Sequence, residues 1–312
     1  MQLIDVHSHH ITPYYRETME RAGQLDADLT AVPSWEAEGL LEHMEDVGIT
    51  HSVLSATSPN QSFGDKGIAL DLTREGNEAG ADCARRHEGR FSLAASLPLP
   101  YVEESIEEIK YAYETLGAKA VRILTNSIGV YPGNPKTDPV FAELNRRKAV
   151  VILHPTRPPE FPKDSLSSIS FSMLEFLTES CRAVINLIFS GTIRRYPDVR
   201  FVVPHCGAHL IPTLERLEKH CKRYLSANKD LTQTDFLEDA STLYFDIAGD
   251  PFPRQLATLL TFTDPSHVLY GTDYPWRSSE MANRVLAKFN EKYAGSPFAD
   301  QLFYQNALTL FS

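Results

Sequence analysis

Eight short apolar runs, each followed by a stretch with helical spacing, constrain this chain more than any other feature. The runs centre on residues 3–7, 53–54, 91–97, 118–125, 149–154, 201–205, 244–248 and 268–273. Between them Leu40, Leu41, Met44 and Val47 repeat at helical spacing until Gly48, and Val102, Ile106, Ile109, Tyr113 and Leu116 do so until Gly117. Leu210, Leu214, Leu217 and Cys221 continue the pattern in the second half. Strand and helix alternating eight times within 312 residues predicts an α/β fold, a parallel (β/α)8 TIM barrel spanning 1–312 as one domain. A doubly wound open sheet ranks second, because no Gly-rich phosphate turn follows any of the strands.

Local signals give finer expectations. Residues 11–35 read as a long polar and aromatic connection containing Tyr14, Tyr15 and Trp35, with Ser34 capping the helix that follows. A loop rich in Ser, Pro, Asn and Gly is expected at 57–67. Helices are expected at 71–88, from Thr137 or Asp138 beside Pro139, at 168–190, from Asp250-Pro251, at 279–293 and at 299–310.

The formal charge of -11 argues against nucleic acid or an anionic membrane as the main partner, while leaving room for an anionic small molecule met by local arginines. No apolar run approaches the ~18 residues of a membrane-spanning helix, and the N-terminus enters a core strand at once. Cys83, Cys181, Cys206 and Cys221 are widely spaced without a Cys-x-x-Cys pair, which predicts reduced thiols and a cytoplasmic setting.

In a barrel of this kind reactive groups gather at the C-terminal ends of the strands. Those ends carry His7 and His9 (strand one), His154 (strand five), His205 (strand six) and Asp273 (strand eight). His7 and His9 are two apart, so on a regular strand they project from one face. Three imidazoles and a carboxylate suit Zn, Mn or Fe with one coordination position open to water, and a fifth group remains as acid or base near neutral pH. Arg122, Arg157 and Arg277 lie at or just past strand ends, where a guanidinium could clasp a carboxylate. Trp276, Tyr14 and Tyr15 could line an aromatic pocket. His209 would lie one turn beyond His205 if a helix began there, and His43, His51, His87, His220 and His267 read as solvated or structural.

Five segments together resemble the amidohydrolase superfamily, specifically its carboxy-lyase branch related to aminocarboxymuconate-semialdehyde decarboxylase and γ-resorcylate decarboxylase. They are Asp5-Val6-His7-Ser8-His9, Val151-Ile152-Leu153-His154-Pro155, Gly191-Thr192-Ile193-Arg194-Arg195-Tyr196-Pro197, Pro204-His205-Cys206-Gly207 and Leu269-Tyr270-Gly271-Thr272-Asp273-Tyr274-Pro275. The resemblance implies that His7, His9, His154 and Asp273 ligate the metal and that His205 is the acid/base beside its open position. Strand four ends in Val121-Arg122-Ile123-Leu124-Thr125 without the lysine that many binuclear members carry, which implies a single ion, Zn or Mn. The first-helix arginine of the aminocarboxymuconate enzymes has no counterpart in residues 36–47. Arg216, eleven residues after His205, matches the arginine that reaches a neighbouring subunit's site, and so implies a homodimer.

The expected activity is therefore metal-dependent, nonoxidative decarboxylation of a small hydroxy-carboxylic acid, aromatic or unsaturated. His205 or Asp273 would protonate the carbon, and Arg122, Arg157, Arg216 and Trp276 would contact substrate. Hydrolysis of a lactone, ester, amide or carbon–carbon bond by a metal-activated water is the alternative the same residues serve. A non-catalytic metal- or ligand-binding protein comes third.

Overall fold

The computed structural model describes residues 2–24, 30–57, 64–160, 170–227 and 235–312. Eight strands form one parallel sheet in sequence order: β1 (Ile4–His10), β2 (His51–Ala56), β3 (Phe91–Ser96), β4 (Ala120–Leu124), β5 (Val150–His154), β6 (Arg200–Val203), β7 (Tyr244–Asp246) and β8 (Val268–Leu269). The barrel closes where Val6 N–H donates to the Tyr270 carbonyl (3.0 Å), Asp273 N–H to His7 (2.8 Å) and His9 N–H to Tyr274 (2.8 Å). The expected barrel and its eight strands are all present.

Alternation along the strands divides the apolar residues into two layers. Ile4, Val6, Val53, Ala94, Ala120, Val150, Ile152, Val202 and Leu269 fill the barrel interior, with Ala307 and Leu310 packed among them. The opposite faces, including Leu3, Leu54, Val121, Val151, Leu153, Phe201, Val203 and Phe245, pack against the surrounding helices in a larger outer core. The beta-branched and leucine-rich strands are buried on both faces, as parallel sheets require.

Three local expectations are corrected. Residues 13–21 are a helix (Pro13–Arg21) and not open connection: Thr12 Oγ1 accepts from Tyr15 N, Pro13 takes the first turn, and Tyr15, Thr18 and Met19 form its buried face. Ser34 does not cap the next helix, which runs Ala37–Val47 from Glu36. Arg16 Nη1 donates to both the Val32 and Pro33 carbonyls at 2.7 Å, and that clamp keeps the chain extended past Ser34. The helix expected at Asp250-Pro251 begins only at Gln255, because Phe252 precedes Pro253 and a residue before proline is disfavoured in helix.

The other helices occur close to expectation, at Lys66–Arg86, Asp138–Arg146, Glu175–Phe189 and Ser279–Tyr293. Pro297–Asp300 and Asn306–Leu310 flank a π-turn at Gln301–Gln305. Positions 58–63 of the expected loop and 168–169 of the expected helix lie outside the described residues.

Candidate metal centre and its cavity

Ile4 and Val6 face the barrel interior, so strict alternation would turn His7 and His9 outward toward the helices. A bulge prevents this. The pairing of β1 with β2 shifts between Asp5 and Ser8, and the extra residue reverses the strand's phase. His7 and His9 then point over the barrel mouth, and His10 takes the outward position against the helix Lys66–Arg86. There its Nε2 donates to the Gly76 carbonyl at 2.8 Å. A Cβ at Gly80 would come within 2.9 Å of the His10 ring, so glycine lets this helix approach.

β5 needs no such device: Val150 and Ile152 face inward, and His154 follows in the same phase. On β6 the interior residue is Val202, and a left-handed turn after Pro204 redirects His205 into the mouth. His205, Cys206, Gly207 and Ala208 have φ of 57°, 55°, 75° and 55°. Three of these four lack glycine's freedom, and such backbone persists where its surroundings over-determine it. The turn also means that His209 does not sit one helical turn beyond His205. Asp273, φ 67°, extends the interior phase of Leu269. Gly271 between them is required, since a Cβ there would stand 2.7 Å from the His7 Cβ.

One donor atom from each of His7, His9, His154 and Asp273 falls within 4.8 Å of the others. Nε2 of His9 lies 3.2 Å from Nε2 of His154, and Asp273 Oδ1 lies 3.3 Å from His9 Nε2 and 3.5 Å from His7 Nε2. Outer partners fix the tautomers. His7 Nδ1 donates to Asp246 Oδ2 at 2.9 Å, and His154 Nδ1 donates to the Pro155 carbonyl at 2.9 Å. His9 Nδ1 donates to Ser55 Oγ at 3.1 Å, whose own hydroxyl points to the Ser8 carbonyl. In its neutral form each ring therefore turns a bare Nε2 lone pair toward the others and toward a carboxylate. Three converging lone pairs cannot satisfy one another. A divalent cation fits this donor set, and buried His7 Nε2 has no hydrogen-bond partner among the described residues.

The electrostatics agree. Burial and the charges of His7 and Arg122 outweigh Asp273 and hold His9 down at about 4, and burial with neighbouring cationic groups holds His154 well below its ordinary range. Burial also disfavours the His7 imidazolium, yet the Asp246 and Asp273 carboxylates overcome it and raise His7 to about 10. Burial works against the Asp273 carboxylate too, but His205, His7 and His9 keep it well below the usual carboxylate range. The negative potential that retains a proton on His7 is the potential that would retain a cation in its place.

Asp246, at the end of β7, was not singled out from the sequence. Besides His7, its Oδ1 accepts from His205 N–H (3.1 Å) and Ala248 N–H (3.0 Å), so one buried carboxylate holds both a candidate ligand and the candidate acid/base. An acidic residue closing the seventh strand was the available signal. Asp5 plays a comparable part below: it accepts from His7 N–H, Thr272 N–H and Thr272 Oγ1, and burial raises it to about 7.

A cavity of about 530 Å³ opens above the cluster. His154, His205 and Asp273 form its floor, Met173, Phe176, Leu177 and Trp276 an apolar wall, and Asp250, Gln255 and Arg277 a polar one. His205 Nε2 lies 4.0 Å from Asp273 Oδ2. Arg277 is held in this wall by a bidentate pair with Asp250.

The remaining sequence candidates fall elsewhere. Arg122 is buried beneath the mouth and donates to the Thr57 carbonyl at 2.8 Å, away from the cavity lining. Arg157 lines a second cavity of about 330 Å³ beyond β3 to β5, its guanidinium 5.7 Å from the Phe171 ring centre. Arg216 is exposed on the helix Leu214–Ala227. Tyr15 packs in an apolar cluster with Ile11, Met19, Val32 and Leu72, and Tyr14 lies against it. His43 lies against the Tyr274 ring, tilted by 31° with centroids 4.4 Å apart, and bonds Ser279 Oγ, a structural place.

Comparison with known proteins places this geometry. The family profile described as amidohydrolase matches residues 4–312. A decarboxylase, yanB, of Aspergillus niger is 33% identical over 92% of this chain and 80% of its own length. The 6-methylsalicylic acid decarboxylase of Penicillium expansum is 31% identical over 88% and 85%. Among solved structures, 5-carboxyvanillate decarboxylase of Novosphingobium aromaticivorans, complexed with manganese and 4-hydroxy-3-methoxy-5-nitrobenzoic acid, superimposes with a TM-score of 0.88. It is 21% identical and covers 99% of this chain and 96% of its own. The chain belongs to the amidohydrolase family, among relatives that are named decarboxylases.

Proposed function

We propose that this protein is a metal-dependent, nonoxidative decarboxylase of a small hydroxyaryl carboxylate. The observation that carries the reading is a cluster of three imidazole lone pairs and one carboxylate on the floor of a cavity with an apolar, partly aromatic wall, in a chain about one third identical to a named decarboxylase. His7, His9, His154 and Asp273 would hold one divalent ion. Manganese in the carboxyvanillate enzyme supports Mn, and the nitrogen-rich donor set equally suits Zn. Such an ion would supply Lewis-acid polarisation of the substrate's carboxylate and adjacent hydroxyl.

The chain's own residues supply orientation and the proton. Trp276 on one side, with Phe176 and Leu177 on the lining, would fix a flat ring and keep water from it. Cleavage leaves the electron pair of the carbon–carbon bond on the ring carbon, releases carbon dioxide, and requires one proton at that carbon. His205 Nε2 and Asp273 Oδ2 face each other across 4.0 Å on the cavity floor, and this pair would deliver the proton. Arg277 on the polar wall would meet a second polar group or the substrate's charge.

The hydrolytic alternative uses the same floor, and the names of the relatives favour decarboxylation over it. A homodimer in which exposed Arg216 reaches the partner's cavity belongs to this reading, as does a cytoplasmic setting. Four buried cysteines, none of them in a disulfide, support the latter, and among the described residues no helix is long and apolar enough to cross a membrane. The test is carbon dioxide release from a panel of hydroxyaryl carboxylates by Mn- or Zn-loaded protein. Release that disappears on chelation supports the reading, whereas turnover of lactones or esters without carbon dioxide would replace it with the hydrolase.

A further inference from the structure

Trp276 shares the cavity wall with one other aromatic residue, Phe176, and its indole is held from behind. Nε1–H donates to Thr57 Oγ1 at 3.0 Å, and the ring packs against the apolar cluster that contains Tyr15 and Met19. Thr57 is itself buried and held through both backbone groups. It is 1% exposed, its N–H donates to the His10 carbonyl at 3.1 Å, and its carbonyl accepts Arg122 Nη2 at 2.8 Å. Arg122 is also 1% exposed and comes from inside β4, so its guanidinium reaches beneath the mouth to the end of β2. A strand-end threonine thus ties β1, β2, β4 and the loop after β8 together behind one side chain.

We propose that Thr57 is a positioning residue that locks the plane of Trp276, making the indole a fixed flat wall that selects planar rings over puckered ones. A rigid wall gains van der Waals contact across a whole flat ligand, while a puckered ring touches it at a few atoms. An indole free to rotate would accommodate both shapes. Arg122 acts in this arrangement through Thr57, by fixing the carbonyl of the residue that fixes Trp276, and not by touching substrate. The selection of planar ligands rests on the aryl-carboxylate reading above, and the anchoring of Trp276 does not.

The test compares Thr57→Val, which removes the acceptor at similar volume, with Thr57→Ser, which retains it; Thr57→Ala substitutes if valine disturbs folding by circular dichroism. The chain contains two tryptophans, so Trp35→Phe isolates the emission of Trp276. Without any ligand, acrylamide quenching of Trp276 is expected to at least double in Thr57→Val and to return to the parent value in Thr57→Ser. In metal-loaded protein, calorimetry should show salicylate binding weakened about fivefold, the scale of one hydrogen bond, with 2-hydroxycyclohexanecarboxylate changed less than about twofold. In a Trp276→Phe background Thr57→Val should then have no further effect on either ligand. Unchanged quenching overturns the proposal, as does equal weakening of both ligands or an undiminished effect of Thr57→Val without Trp276. Doubled quenching in a protein whose parent binds neither ligand supports the anchor and overturns the aryl-carboxylate substrate instead.

Discussion

The floor of the cavity and its rim are built differently. On the floor His7, His9, His154 and Asp273 stand at strand ends, and the three imidazoles each have an outer partner on their second nitrogen: Asp246, Ser55 and the Pro155 carbonyl. At the rim Ser170, Met173, Asp250 and Arg277 come from connecting segments, and Met173 is 66% exposed. On the proposed reading, buried and doubly held groups set the class of reaction, and groups on connecting segments set what is admitted to it. A substitution on the floor should therefore remove chemistry, and one at the rim should only retune binding.

The largest effect is expected at the proposed proton donor. His205→Asn should lower kcat by roughly 10²- to 10⁴-fold while plasma mass spectrometry still finds the parent metal content. Loss of the metal in this variant would break the separation between ligand and acid/base.

Next comes the outer partner of His7. Asp246→Asn should weaken metal affinity by about 10- to 100-fold, as loss of a carboxylate behind a ligating imidazole does, measured by competition with a chromophoric chelator. An unchanged affinity would mean that His7 is not a ligand.

Proton competition sharpens the same point. His7 is raised to about 10 in the absence of metal, so between pH 6 and 8 metal binding must displace its proton. Affinity should then rise about tenfold per pH unit across that window, because the proton is held below pH 10 and its release favours binding as pH increases. His9, at about 4, is already neutral there and adds no slope. In Asp246→Asn the carboxylate that sustains the His7 proton is gone, and the slope should flatten toward zero at the upper end of the range.

The smallest change belongs to the rim. Arg277→Ala frees Asp250 and alters one wall, so KM should shift by about two- to tenfold with kcat within about twofold of the parent, the signature of binding used equally in ground and transition states. A drop in kcat comparable to that of His205→Asn would erase the distinction between the two regions.

The same distinction explains what could be read from the sequence. Strand ends are marked by apolar runs, so His7, His9, His154, His205 and Asp273 could be gathered at one mouth from the sequence alone. What was invisible was how they come to face one another. Alternation alone points His7 and His9 outward and His205 off the axis; the bulge between Asp5 and Ser8 and the left-handed turn after Pro204 correct this, and neither has a local sequence signature strong enough to read. Asp246 was legible in principle, as an acid closing an apolar run, but its role depends on a contact across 239 residues. The arginines show the limit of position-based reasoning: Arg122 and Arg157 share a strand-end location with residues that line the cavity above the cluster, yet one is buried under Thr57 and one lines a different cavity. The helix Pro13–Arg21 did carry its signal in Thr12-Pro13, a cap followed by a first-turn proline, which the polar composition of the stretch masked.

The most direct test of the account is carbon dioxide release per molecule of aryl product, measured for chelator-treated protein before and after adding one equivalent of Mn or Zn, beside His205→Asn. The account predicts equimolar carbon dioxide and decarboxylated arene from at least one hydroxyaryl carboxylate, restored by a single ion per chain and abolished in the variant. Full activity in metal-free protein, a requirement for two ions, or lactone cleavage without carbon dioxide would contradict it.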